Sequence, residues 1–365
     1  MNKAPAVHAL MEHFHSNDHE IRLVGGCVRD SILGREAHDL DFATTATPDE
    51  MFAIFDNVYG YTVHPTGVKY GTVTIVNEDN AWEVTTLRQD VVTDGRHAEV
   101  AFTTSFKEDA RRRDLTINAM SMDINGKVYD YFGGKEDINN CILRFVGNAD
   151  ERIQEDYLRI LRFLRFTDLF GENTVYAKDG LEAIVKHREG LVTLSRERIT
   201  QELKKMLTSK SVNRIVRTMA ATKVDDVIGI HNYGHMVPMS DNWIVPFVYC
   251  RGNKALDYVR LSNAELALFN TLVEWDVMSR VCKLSFEYYL HVEDKGKELE
   301  AYAELTSDRE LMTFLRTTPK KTFPVRGSDV VAKGHEGKSV GRNLEMLLET
   351  WVSNGYSQTK EELLN

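Results

Sequence analysis

The sequence predicts an α+β fold, a mixed-sheet head followed by an all-helical remainder. Three observations carry this. Short β-branched or apolar runs at 21–24, 39–43, 72–76 and 83–87 all fall in the first 147 residues. Beyond residue 148, Ile153, Leu158, Leu161, Phe163 and Leu164 recur at helical spacings. Strand and helix signals are segregated along the chain, not alternating, which argues against a doubly wound sheet.

The elements follow in order. The 21–24 run ends at Gly25-Gly26, and 28–33 reads as a short helix. Thr47-Pro48-Asp49-Glu50 is a helix start, with proline in the first turn and acids at the N-terminus. The runs TVTIV (72–76) and EVTTL (83–87) flank a polar break at 77–80, so a hairpin or meander is expected. Ser195 is an N-cap for a helix through Arg198, Ile199, Leu203 and Leu207. No proline stands between Pro65 and Pro238, which permits long elements. The chain then reads as helical to about residue 315, followed by a basic loop between Pro319 and Pro324. Gly327, Gly334, Gly337 and Gly341 precede a last helix at 343–352. The expected divisions are a head at 1–147, a neck at 148–208, a body at 209–315 and a tail at 316–365.

Composition narrows the function. The 365 residues are 42% hydrophobic and 27% charged, which fits ordered globular domains. The formal charge of −10 argues against a chain uniformly coated in basic charge. No apolar run of 18 residues exists, so no membrane span is expected. The first 20 residues hold four histidines and no apolar stretch of the signal-peptide kind. Cys27, Cys141, Cys250 and Cys282 form no C-x-x-C and no zinc pattern, so free thiols in a reducing cytoplasm are expected.

Three constellations carry chemistry. The first is Leu23-Val24-Gly25-Gly26-Cys27-Val28-Arg29-Asp30, followed by Asp39-Leu40-Asp41. On a strand, residues i and i+2 share a face, so Asp39 and Asp41 would stand side by side and repel unless a cation joins them. Hard oxygen ligands suit Mg²⁺, and a phosphate would complete its shell. The glycine turn opening a helix is an anion site, to which Arg29 adds a bidentate donor. A bare D-x-D is common on surfaces; its pairing with the upstream G-G-x-V-R-D makes it a metal–triphosphate site.

The second is Arg111-Arg112-Arg113-Asp114-Leu115-Thr116-Ile117-Asn118-Ala119. Arginine suits phosphate, and a carboxylate accepts from a ribose hydroxyl. By itself the run is no more than a basic helix end. The third is Glu155-Asp156-Tyr157-Leu158-Arg159-Ile160-Leu161-Arg162-Phe163-Leu164-Arg165-Phe166. On a helix, Asp156, Arg159, Arg162 and Arg165 are neighbours three apart, the ordinary pattern of a salt-bridged face. The sharper reading is chemical. Cytosine and adenine each present an amino donor beside a ring-nitrogen acceptor, and uracil and guanine present the reverse. A carboxylate beside a guanidinium therefore matches C and A without a template.

With these residues on the page, the chain resembles bacterial CCA-adding enzymes, the class II tRNA nucleotidyltransferases related to bacterial poly(A) polymerases. The resemblance runs from Leu23 to about Leu207. It rests on the stretches above, on Glu83-Val84-Thr85-Thr86-Leu87-Arg88, on Asp94-Gly95-Arg96-His97 and on Ser195-Arg196-Glu197-Arg198-Ile199. Leu115, Ala98 and Tyr157 depart from the common pattern without removing a charge. The resemblance implies a polymerase-β-like nucleotidyltransferase head. It also implies that Asp39 and Asp41 hold two Mg²⁺ ions, with Glu83 as a third acidic group facing them. Gly26, beside Gly25, and Arg29 would contact the triphosphate. Asp114 would bind ribose, and Arg113 the nucleotide. Asp156 and Arg159 would read the base, supported by Arg162 and Arg165. Residues 90–100 would form the loop that helps the change from C to A addition.

The implied activity is template-independent addition of C, C and A to tRNA lacking all or part of its 3′ CCA, from CTP and ATP, by a monomer or homodimer. Poly(A) polymerase and an A-adding specialist are the nearest alternatives. A catalytically dead RNA-binding relative would be expected to have lost Asp39 or Asp41. A phosphohydrolase has only His231-x-x-x-His235 in its favour, read here as structural. Residues 186–217 hold nine Lys/Arg against three Asp/Glu, and residues 316–342 hold seven against two. Lys204, Lys205, Arg214, Lys320, Lys321 and Lys338 are thus the expected tRNA contacts.

Overall fold

The computed structural model describes residues 4–37, 39–77, 80–93, 98–231, 236–252, 254–279 and 286–365. The chain divides into two compact units. The first comprises residues 1–233 with 252–260, and the second 234–251 with 261–365.

The first unit opens with helix α1 (Ala4–His15) and is built on strands β1 (Ile21–Val24), β2 (Asp41–Thr44), β3 (Tyr61–Gly67), β4 (Thr72–Asn77) and β5 (Asn80–Thr86). A hairpin, β6 (Arg88–Thr93) with β7 (Ala98–Phe102), stands apart, and β8 (Met120–Met122) and β9 (Val128–Asp130) complete the main sheet. The sheet order is β3-β4-β5-β2-β1-β8-β9. It is mixed, as expected: β2 and β5 run parallel and every other neighbour pair is antiparallel. The parallel pair needs a crossover. It starts with helix α3 (Pro48–Phe55), whose Thr47 and Glu50 form a capping box around Pro48. Helix α2 (Gly26–Ile32) lies between β1 and β2.

The expected hairpin is present, with Asn77 paired to Asn80. Strand β3 was not anticipated, because its Pro65 lowers the strand signal. It lies at the sheet edge, where a missing N–H costs no ladder bond. Alternation buries Val73, Ile75, Trp82 and Val84 and leaves Glu83 exposed.

Helices α4 (Phe106–Arg111) and α5 (Gly134–Asn139) close the head. There follow α6 (Ala149–Glu155), α7 (Leu158–Arg165), α8 (Thr167–Phe170), α9 (Lys178–His187), α10 (Arg196–Leu207), α11 (Val212–Thr222), α12 (Val224–Ile228) and, after the excursion into the second unit, Ala255–Tyr258. Ser195 caps α10 through the Arg198 amide. These helices are short even though the segment lacks proline. Asp156, Gly171 and Lys223 break them instead, the last two at positive φ. Apolar residues Ile160, Leu161, Phe163 and Leu164 of α7 are fully buried, and Phe163 stacks on Phe145 of the head at 4.8 Å. Head and neck thus share one core.

The second unit is all helical: Ile244–Cys250, Asn263–Ser279, Phe286–His291, Gly296–Thr306, Arg309–Thr317, Gly327–Ala332, Lys338–Ser353 and Lys360–Leu364. The anticipated tail helix, 343–352, lies inside the longer Lys338–Ser353, which takes in Gly341, and it is not the last, since Lys360–Leu364 follows. Trp351 anchors the tail against Val325, Val330, Tyr356 and Leu363.

Candidate active site

The site is assembled at the C-terminal end of β1. There Gly25 adopts φ +76°, a conformation that favours glycine, and a Cβ at this position would lie 2.9 Å from Arg113 Nη1. The N-terminus of α2 follows at once, so its free amides border the cleft. One turn along, Arg29 donates to Asn118 Oδ1 (2.6 Å) and to Asp30 Oδ1 (2.9 Å).

The carboxylates lie next to this turn. Asp41 is the first residue of β2 and pairs in parallel register with Glu83 of β5, so the two side chains project from the same sheet face. The strand reading of Asp39 needs correction: it precedes the strand, in a bend. It is still near enough that its charge, together with burial, pushes the Asp41 carboxyl up, while Arg113 opposes the rise. A site that disfavours its own negative charge is one that a cation would relieve. The donors are all hard oxygens, which fit Mg²⁺.

The arginine run is anchored from beneath. Arg112 and Arg113 fork onto the two oxygens of Asp109, at 2.7 and 3.0 Å. Burial alone would raise the Asp109 carboxyl, but the two guanidinium groups hold it below the usual carboxylate range. Asp114 is likewise buried and likewise held low, chiefly by Arg162 against the effect of burial. One oxygen accepts from the Leu115 amide (2.8 Å) and Asn118 Nδ2 (3.1 Å), and the other from Arg162 Nε (2.7 Å). Three donors thus already engage this carboxylate.

The third constellation is not one continuous helix face. Asp156 is extended (φ −157°, ψ 103°) between α6 and α7. Its Oδ1 accepts the Leu158 amide at 3.1 Å, a local turn that competes with helix. Its Oδ2 is held at 2.7 Å by Arg198 of α10, a residue 42 positions away whose pairing the sequence does not reveal. Arg159 instead pairs with Glu155 Oε2 (2.6 Å) and donates to the Arg112 carbonyl (2.8 Å). Arg165 pairs with Glu202 (2.6 Å).

A cleft of about 340 Å³ brings most of these groups together. Gly25, Gly26, Arg29, Asp41, Arg113, Asp114, Asp156, Arg159 and Arg162 all line it, with Arg112, Asn118 and Phe166. Asp39, Glu83 and Arg165 are not among its walls. Arg165 and Lys205 line an adjoining cleft of about 650 Å³, with Arg29 and Phe166 shared between the two. Asn118 and Phe166 were not singled out from the sequence. Phe166 is the last residue of the E-D-x-x-R-x-x-R-F stretch, and the Arg165 guanidinium lies 4.4 Å from its ring centre.

The expected tRNA contacts differ among themselves. Lys205 and Lys338 are exposed. Arg214 is committed to Glu172 and to the Thr174 carbonyl. Lys320 pairs with Asp294, and Lys321 Nζ reaches the Gly355 carbonyl at 3.5 Å. Lys204 is half-buried on α10. Asp94-Gly95-Arg96-His97 lies outside the described residues.

Comparisons with known proteins converge on one family. Residues 21–144 match the Poly A polymerase head domain, and 177–228 match the probable RNA and SrmB-binding site of polymerase A. Human CCA tRNA nucleotidyltransferase 1, mitochondrial, is 36% identical over 98% of this chain and 88% of its own length. The CCA-adding enzyme of Bacillus subtilis is 35% identical over 78% of this chain and 70% of its own. The structure of Bacillus stearothermophilus CCA-adding enzyme in complex with CTP superposes with a TM-score of 0.78 at 27% identity, covering 100% of this chain and 96% of that one.

Proposed function

The chain belongs to the CCA-adding tRNA nucleotidyltransferase family, and on that premise we propose that its cleft adds C, C and A to the 3′ end of tRNA from CTP and ATP. The carrying observation is one cleft that joins a carboxylate and glycine-turn end to an aspartate–arginine end. The tRNA 3′-hydroxyl attacks the α-phosphorus in line and pyrophosphate leaves.

The glycine turn, Arg29 and Arg113 bind the triphosphate. Asp109 orients Arg113, and Asp114 orients Arg162, so both act as positioning residues. Asp156 accepts from the amino group of C or A while Arg159, released from Glu155, donates to the ring nitrogen. Arg198 holds Asp156 in place. Asp39 and Asp41, with Glu83 beside them, would hold two Mg²⁺ ions, which would supply charge stabilisation at the phosphoryl oxygens. Residues 1–147 carry catalysis, 148–208 base recognition, 209–315 the connecting body and 316–365 tRNA contacts. Among the described residues no helix is long and apolar enough to cross a membrane. The free thiols of Cys27, Cys141 and Cys250 suit a reducing compartment such as the cytoplasm.

The test uses tRNA transcripts ending before CCA, after C and after CC, each with CTP, ATP or both. The expected products complete CCA and stop. A growing A tract assigns poly(A) synthesis instead, and extension of only the CC-ended transcript assigns an A-adding specialist.

A further inference from the structure

Away from the cleft, at the end of α12, stands a group of ligating side chains that the reaction does not use. One ligand atom from each of Asp225, Asp226 and His231 lies within 4.8 Å of the others. The head carboxylates do not form so closed a group. His231 Nδ1 stands 3.6 Å from Asp225 Oδ2. That is close to the ~3.4 Å edge of a tetrahedral site with bonds of about 2.1 Å. Asp225 is only 8% exposed, and its Oδ1 is buried with no hydrogen-bond partner among the described residues. A buried carboxylate oxygen left in this way is costly unless a donor or a cation meets it.

The imidazole is also pre-positioned. A Cβ at residue 252 would lie 2.3 Å from His231 Cδ2 and 2.6 Å from Nε2, so the ring edge rests on the bare Gly252 backbone and Nδ1 faces Asp225. The Gly252 amide donates to the Gly229 carbonyl at 2.7 Å, which ties this segment to the end of α12. All these residues belong to the first unit.

We propose that Asp225, Asp226 and His231 bind a divalent transition-metal ion of the Zn²⁺ class. An imidazole nitrogen beside carboxylates favours such an ion over Mg²⁺ or Ca²⁺, and the absence of thiolate disfavours softer metals. The ion neutralises two adjacent carboxylates, and bidentate coordination by Asp225 would meet the buried Oδ1 as well as the Oδ2 that faces His231. It is structural: it braces the end of α12 where the chain leaves the first unit, and it takes no part in nucleotidyl transfer.

The test uses the full chain, stripped with a chelator and kept in excess Mg²⁺ so that the head carboxylates are occupied. Zn²⁺ uptake is measured by equilibrium dialysis, Co²⁺ by its visible absorption, and melting temperature with and without Zn²⁺. The wild type is expected to bind one more ion than Asp225→Asn or His231→Gln, with a Zn²⁺-dependent rise in melting temperature that both variants lack. Each variant should bind at least about tenfold more weakly. His231 is not buried, so His231→Gln decides the matter if Asp225→Asn fails to fold. Equal Zn²⁺ uptake by wild type and variants overturns the proposal. So does suppression of uptake by Mg²⁺, which would mark an ordinary acidic surface.

Discussion

The two ends of the cleft use the same residue types in opposite ways. At the end marked by Asp41, with Asp39 and Glu83 beside the cleft, desolvation of the carboxyl group pushes Asp41 up and Asp39 adds to the rise, against Arg113. At the other end every acid already has a partner: Asp109 with Arg112 and Arg113, Asp114 with Arg162, Asp156 with Arg198. The first end is electrostatically incomplete, an arrangement that a bound cation would relieve. The second is paired internally: Arg198 fixes Asp156, while Glu155 holds Arg159. On the proposed assignment of chemistry to the first end and selection to the second, variants at the two ends should fail differently.

The largest effect is expected at the incomplete end. Asp41→Asn removes a proposed metal ligand but no packing. It should cut incorporation by about 10³-fold or more while tRNA binding persists, read by primer extension beside filter binding. Next comes Arg162→Met, which leaves the buried Asp114 charge with only the Leu115 and Asn118 donors. Arg162 is itself partly exposed, so the expected loss is about 2–3 kcal/mol in urea unfolding, within the range for breaking such pairs.

The same pair sets a pH dependence. Because the folded Asp114 carboxyl is held low, its stabilisation is complete above its unfolded value near ~3.9 and is lost as pH falls through the folded value. Asp114→Asn should therefore flatten the acid limb of the stability profile, followed by denaturation across pH. A smaller effect belongs to Arg198→Ala. It frees Asp156 without touching the nucleotide, and should lower discrimination of C and A against U and G by about tenfold with little change in rate on the correct nucleotide. The smallest is Lys205→Glu, which should reduce the salt slope of tRNA binding by about one ion or more, whereas Arg214→Ala should lower stability first, since Arg214 is spent on Glu172.

The contrast also shows which features were legible in the sequence. β-branched runs and caps act locally, so β1, the β4–β5 hairpin, the Thr47 start and the Ser195 cap were all readable. Three-residue strands such as β8 and β9 carry no periodicity, and the proline in β3 is tolerated only because tertiary structure puts that strand at an edge. The residue types of the site were legible because charged clusters at fixed spacing restrict the chemistry. Their pairings were not. Asp156 has helical spacing yet breaks the helix through its own side chain, and its partner Arg198 sits on another helix. Arg214 reads as a free cation until the fold brings Glu172 beside it. Asp225, Asp226 and His231 form no recognised motif, and the close approach of the ring to the bare backbone of Gly252 is a tertiary contact.

The most direct test is the relative kcat/KM for CTP and ATP against UTP and GTP in Asp156→Ala, on a tRNA ending before CCA. The account predicts continued nucleotide transfer with the C and A preference collapsed. Undiminished preference would contradict it and remove base reading from the aspartate–arginine end.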